Sequence, residues 1–314
     1  MHIVNIPSTY PFSMDDLLRA AVDRGCSDLH LVVGMAPCMR ISGEMLPQEM
    51  PILLPQDVQK LLFEVLNQEQ IDELMKQWEL DFSYSVVGYA RFRGNVIVQR
   101  GTLAVVYRVV PFEVPAIEAL GLPDDVRRLA TLTRGLILVT GPTGSGKSTS
   151  MAALINYINA TRAVNIVTIE DPIEFLHKHN KATVRQREVG TDTHSFSLAL
   201  RQALRHDPDI IMIGEMRDLE SISIALTAAE TGHLVISTLH TQTAPLSISR
   251  IVDSFPNEGK QQVRQQLSGS LRAILSQQLV RTIDGKRVAA TEYMIDIPAV
   301  RAMIRDGKEN QLYS

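Results

Sequence analysis

In 314 residues there are two cysteines and one tryptophan, and no apolar run approaches the roughly 18 residues that cross a bilayer. Cys26 and Cys38 are too few for a disulfide framework and have no second Cys or His pair at zinc spacing, so free thiols in a reducing compartment are expected. Residues 1–10 have neither a basic start nor an apolar stretch long enough for a secretory leader. A cytoplasmic protein without direct membrane insertion is expected. Positive charge is not in excess either. Thirty-one Lys and Arg stand against 35 Asp and Glu, a formal net charge of −4 that gives no bulk attraction to nucleic acid. Hydrophobic residues, by contrast, make up 45% of the chain, enough for a sizeable core. At about 100–200 residues per domain, two domains are expected.

The most informative stretch is 135–150, Gly-Leu-Ile-Leu-Val-Thr-Gly-Pro-Thr-Gly-Ser-Gly-Lys-Ser-Thr-Ser. It fits G-x-x-x-x-G-K-[ST] between an apolar strand at 136–139 and an apolar-rich helix from 151, the context this motif requires. A triphosphate can be wrapped by backbone N–H groups only where the chain turns tightly and comes close, which Gly141, Gly144 and Gly146 permit. The helix that follows points its positive end at the anion. Lys147 adds a charge near the β- and γ-phosphates, and Ser148 offers a hydroxyl to Mg2+. Thr143, Ser145 and Thr149 complete the expected ATP-binding set.

Around this loop the periodicities predict an α/β protein. Residues 1–110 read as a small α/β domain: a helix over 14–24, a strand over 28–33, and a helix over 55–78 broken near Asn67, with Asp57 and Asp72 suited to its turn starts. Two or three strands follow over 81–108, broken at Gly88, Gly94 and Gly101. Prolines 111, 115 and 123 mark a linker over 111–123. From 124 to 314 apolar strands (136–140, 165–169, 210–214, 234–239) alternate with helices (147–159, 195–205, 219–230), which argues for a largely parallel sheet. A long helix over 257–279 and a short one over 298–305 are expected at the end.

In such sheets ligands gather at the carboxyl ends of strands. Glu170 and Asp171 stand where one strand stops, and Glu215 follows four apolar residues of another. Glu170 is the first candidate for the base that prepares water, and Glu215 for the Mg2+ shell, although the two roles could be exchanged. His240 ends a further strand, placed to sense the γ-phosphate. His233, seven residues earlier, falls on the opposite strand face, so the two cannot share a metal unless the strand breaks. Arg91, Arg93, Arg100 and Arg108 form a basic set in the first domain. Arg93 and Arg108 are candidates to reach a γ-phosphate from another domain or subunit.

Four motifs in order resemble those of the secretion ATPases of type IV pilus and type II secretion systems, and among them the pilus retraction motors. Residues 141–149 are similar to the Walker A loop and 167–174 to the aspartate box. Residues 207–218, ending Gly-Glu-Met-Arg-Asp, are similar to the Walker B element, and 231–241 to the histidine box. Residues 299–308, Ala-Val-Arg-Ala-Met-Ile-Arg-Asp-Gly-Lys, resemble the retraction signature Ala-Ile-Arg-Asn-Leu-Ile-Arg-Glu but carry Val300, Ala302 and Met303 in place of Ile, Asn and Leu. The resemblance implies a RecA-like ATPase domain with a PAS-like N-terminal domain, assembled as a homohexamer peripheral at the inner membrane. It implies an inner-membrane platform protein as partner, with a paralogous retraction ATPase as a further one, and Arg93 and Arg108 as arginine fingers. Extension motors of this family carry a longer N-terminal region and a four-cysteine zinc site, which favours retraction here. A tail longer than the one in these 314 residues is expected. The alternatives are an accessory retraction motor, an extension or type II secretion motor, and a nucleotide-gated adaptor with little turnover.

Overall fold

The computed structural model describes residues 7–110, 113–283 and 287–312. Residues 1–6 of the leader argument and Pro111, where the linker is expected to begin, lie outside the described residues. The chain divides into two compact units, Met1–Phe112 and Glu113–Ser314, each with its own apolar core.

The first unit runs α1 (Met14–Asp23), β1 (Cys26–Val32), β2 (Cys38–Ile41), β3 (Glu44–Pro47), α2 (Pro55–Phe63), α3 (Gln68–Gln77), β4 (Glu79–Val86), β5 (Ala90–Gln99) and β6 (Thr102–Val110). Ser13 and Asp16 cap α1 reciprocally, and its apolar spacing buries Met14, Leu17, Leu18 and Ala21. The strands form an antiparallel sheet in the order β3-β2-β1-β6-β5-β4. Leu29, Phe92, Val96 and Tyr107 face the core with the helices.

The helix expected over 55–78 is two helices, and Asn67, not Asp72, caps the second: its side chain accepts from the Gln70 amide at 2.9 Å. Asp72 sits inside α3 and accepts from Gln68 Nε2. Gly94 does not break a strand. The Phe82 ring lies where its side chain would be, 2.3 Å from a Cβ built there, so the glycine lets β5 run on beneath an aromatic.

The second unit runs α4 (Val126–Leu129), β7 (Gly135–Thr140), α5 (Lys147–Thr161), β8 (Asn165–Glu170), β9 (Thr183–Glu188), α6 (Phe196–Ala203) and β10 (Ile210–Ile213). It continues through α7 (Leu219–Glu230), β11 (Leu234–Leu239), α8 (Ala244–Asp253), α9 (Lys260–Ser270), β12 (Leu271–Arg281), β13 (Arg287–Ile295) and α10 (Pro298–Arg305). Its sheet has the order β13-β12-β7-β11-β10-β8-β9, parallel except for β13, which is antiparallel to β12.

Alternate residues of the central strands feed two cores. Leu136, Leu138, Ile211 and Val235 face one helix layer, while Ile137, Val139, Ile210 and Ile236 face the other with α5. Burial on both faces explains why these strands read as continuous apolar runs.

The helix expected over 257–279 is corrected: α9 ends at Ser270 and the chain continues as a strand to Arg281. The segment Leu-Arg-Ala-Ile-Leu-Ser-Gln-Gln-Leu-Val has no local breaker, and pairing with β7 on one side and β13 on the other overrides its helical spacing. In α10, Val300 and Ile304 pack on the core, whereas Ala299, expected on the same face, is exposed.

Candidate nucleotide site

Four parallel strands end together on one edge of the sheet, and each delivers one expected group there: Gly141 after β7, Glu170 at the end of β8, Glu215 two residues past β10, and His240 next after β11. The glycine loop joins β7 to α5, whose 15 residues put a full helix dipole behind the turn. Gly141, Gly144 and Gly146 have φ of 142°, 77° and 88°. At Gly141 a Cβ would lie 2.2 Å from the Gln277 carbonyl oxygen, whereas at Gly144 nothing stands within 4 Å. Gly141→Ala is therefore expected to cost roughly 2–5 kcal/mol of unfolding free energy, backbone strain plus clash, and Gly144→Ala about 1 kcal/mol. Denaturant unfolding of the two variants measures the contrast.

Lys147 is buried, and its Nζ donates to the carbonyls of Gly141 (2.9 Å) and Pro142 (3.0 Å). Burial lowers the pKa of its ammonium, with Glu215 pulling the other way. Thr143, Gly144 and Ser148 are exposed on the loop and first helical turn, Thr149 is half-buried, and Ser145 is buried.

Glu170 is 6% exposed. Burial pushes its carboxyl up to about 7, against the hydrogen bonds that Thr168 Oγ1 (2.6 Å) and Gln186 Nε2 (3.1 Å) donate to it. A carboxylate poised near neutrality suits proton abstraction from water. Glu215 is held differently. Arg217 pairs with one carboxylate oxygen and His240 Nε2 lies 3.2 Å from the other, so Glu215 is held between a guanidinium and an imidazole. His233 and His240 both fall outside β11, one before it and one after. The His233 ring Nδ1 lies 3.0 Å from the Ala228 carbonyl and takes no part in the site.

Ser148 and Glu215 are the oxygen donors that could serve Mg2+. Among the described residues no group of three His, Cys, Asp or Glu is placed to hold a metal. A hydroxyl and one carboxylate fit an ion that keeps waters and takes substrate phosphates as its other ligands.

Arg93 and Arg108 belong to the first unit, directly opposite each other on β5 and β6. Like charges in register repel, and Asp28, opposite Arg108 on β1, offsets this with a 2.8 Å ion pair to Arg108 Nε. Burial pushes the Asp28 carboxyl up, but hydrogen bonds from Arg108 and Ser27 outweigh it and hold the group below the usual range.

Sequence reasoning missed Arg217, Gln186 and Gln277. Arg217 lies within the Gly-Glu-Met-Arg-Asp run and was legible there. Gln186 sits on β9, an edge strand without a strong apolar signal, and Gln277 was hidden inside the mistaken helix.

A phosphate loop at the carboxyl edge of a parallel sheet, with acidic groups on the neighbouring strand ends, defines a P-loop nucleotide-binding protein. More narrowly, residues 91–306 match the type II/IV secretion system protein family, and the chain belongs to it. It is 50% identical over 299 residues to a protein of Pseudomonas aeruginosa described as type IV pilus retractation ATPase PilT, covering 95% of this chain and 87% of that one. It is 45% identical over 308 residues to a twitching motility protein of Neisseria gonorrhoeae, covering 98% and 82%. The crystal structure of the pilus retraction motor PilT with bound ADP superposes with a TM-score of 0.89 at 50% identity, over 96% of this chain and 88% of that one. No helix among the described residues is long and apolar enough to cross a membrane.

Proposed function

We propose that this protein is a Mg2+-dependent ATPase that drives retraction of a type IV pilus. The observation that carries the reading is the convergence of the glycine loop, Lys147, Glu170 and Glu215 on one sheet edge, in a chain half identical to a retraction ATPase over nearly its whole length. Backbone amides of 141–146 and Lys147 would hold the phosphates of ATP, and Ser148 with Glu215 would complete the shell of Mg2+. Mg2+, when bound, neutralises charge between the phosphates. Glu170 takes the proton of the attacking water. Arg217 and His240 fix Glu215 so that it faces the site in one orientation.

Arg93 and Arg108 add cationic groups to those of the second unit, Lys147 and Arg217, acting on a nucleotide held by an adjacent copy in a homohexamer. In this reading the first unit is the PAS-like domain that closes over its neighbour's nucleotide. The ring works in the cytoplasm at the inner-membrane base of the pilus against a platform protein, with a paralogous retraction ATPase as a further partner.

Steady phosphate release by the purified chain tests the enzyme against a nucleotide-gated adaptor, which would bind ATP without turnover. Arg108→Ala and Glu170→Gln are each expected to be inactive alone. Mixed, they are expected to recover part of the wild-type rate, because some interfaces then pair an intact arginine with an intact base. No recovery at any mixing ratio would overturn action in trans. Loss of the gene is expected to leave excess surface pili, whereas loss of an extension motor would leave none.

A further inference from the structure

We propose that Gln277 is a positioning residue for the phosphate loop, clamping it from β12 and passing its conformation on to the β12–β13 hairpin. The proposal rests on the nucleotide reading above. Strand β12 runs beside β7 with Ser276 level with Thr140, and their hydroxyls are hydrogen-bonded at 2.8 Å. This register brings Gln277 level with the first residue of the loop.

The Gln277 backbone carbonyl backs onto Gly141 so closely that only glycine fits. Its side chain then reaches the far end of the loop. Nε2 donates to the Ser145 carbonyl at 2.7 Å, and Oε1 accepts from Ser150 Oγ on α5 at 2.9 Å. Ser145 Oγ, by contrast, is buried without a hydrogen-bond partner, so this residue is tied to β12 through its carbonyl rather than its hydroxyl. Gln277 is 2% exposed, and hydrogen bonds made away from water are costly to break.

Beyond Ser276 the strand parts from β7 but stays paired with β13 as far as Arg281 opposite Arg287. From Gln277 onward it is a two-stranded ribbon, the least self-sufficient form of sheet, which follows its root. On β13, the Glu292 carboxylate accepts from the Ala244 amide at the start of α8 at 2.8 Å, and the chain passes from β13 into α10. Loop, ribbon and the start of α8 thus form one contiguous hydrogen-bonded path, with Gln277 at the junction. A glutamine that only filled the core would contribute to stability but would not link ligand binding to the ribbon.

The test uses the full chain with ADP as the probe. Gln277→Leu is expected to raise the ADP Kd about tenfold while kcat at saturating ATP stays within about threefold. Gln277→Glu keeps the acceptor for Ser150 but loses the donor to Ser145, and should follow the Leu variant. Ser150→Ala, which loses only the second link, should cost about two- to threefold. In wild type, ADP is expected to slow amide exchange in 141–149, 277–281 and 287–291. In Gln277→Leu at saturating ADP only 141–149 should remain protected. Unchanged ADP affinity with unchanged ribbon protection would overturn the proposal alone, whatever happens to the melting temperature. If the Leu variant does not fold, the Glu variant decides by the same two readings. A wild-type chain that failed to bind ADP would overturn the nucleotide reading and this proposal with it.

Discussion

Glu170→Gln is expected to lower ATP turnover by about 10²–10⁴ while leaving nucleotide binding intact. The substitution keeps the volume and the hydrogen-bonding partners Thr168 and Gln186 but removes the group that accepts a proton. Burial holds the carboxyl near 7, so the wild-type rate should rise with pH through about that value as the base ionises. Stability should move the other way. The folded pKa is raised from an ordinary 4.5, so below about 4.5 the group is neutral in both states and carries no penalty. As pH rises from there, the unfolded chain ionises first and stability falls until the folded carboxyl ionises too, near 7. Above that the loss is complete, of order 2–4 kcal/mol. The variant should therefore melt several degrees above wild type at pH 8 and close to it at pH 4.5. A melting difference independent of pH, or turnover within a few-fold of wild type, would remove Glu170 from the role of buried base.

Lys147→Ala is expected to abolish measurable hydrolysis, a fall of at least about 10²–10³, and to weaken ATP binding. The ammonium is buried, donates to two carbonyls of its own loop, and lies near enough to Glu215 for that carboxylate to oppose the burial effect on its pKa. Phosphate supplies the stronger acceptor when nucleotide enters. Lys147→Arg is expected to rescue poorly, since a planar guanidinium does not fit a pocket that leaves the lysine 9% exposed. Phosphate release and nucleotide titration on both variants check this. Substantial turnover by Lys147→Ala would separate the loop from the chemistry.

Much of this was legible in the sequence because local rules coincide with the tertiary answer. Strands β7, β8, β10 and β11 are buried on both faces and so read as largely apolar runs, unbroken over 136–139 and 210–213 and interrupted only by hydroxyl residues at 168, 237 and 238, and the glycine loop carries its own chemistry in the spacing of Gly141, Gly146 and Lys147. The helix expected over 257–279 failed where those rules conflict. Nothing in 271–281 forbids a helix, and the strand exists because β7 and β13 offer hydrogen-bond partners on both sides. Gly94 misled for a related reason, since its purpose is to admit the Phe82 ring, a neighbour from another strand.

The sequence by itself determined the phosphate loop, the parallel core beneath it and the identity of the acidic residues beside it, because each depends on spacing along a few consecutive residues. The tertiary structure alone decided which acid is which. Glu170 became the buried, near-neutral one through the packing around β8 and β9, and Glu215 became the one held by side-chain partners, Arg217 on one oxygen and His240 beside the other. Only the fold brought Gln277 against Gly141 and Ser145, more than a hundred positions earlier in the chain. Proton affinity and contact across such distances are properties of an environment, and no single segment carries them.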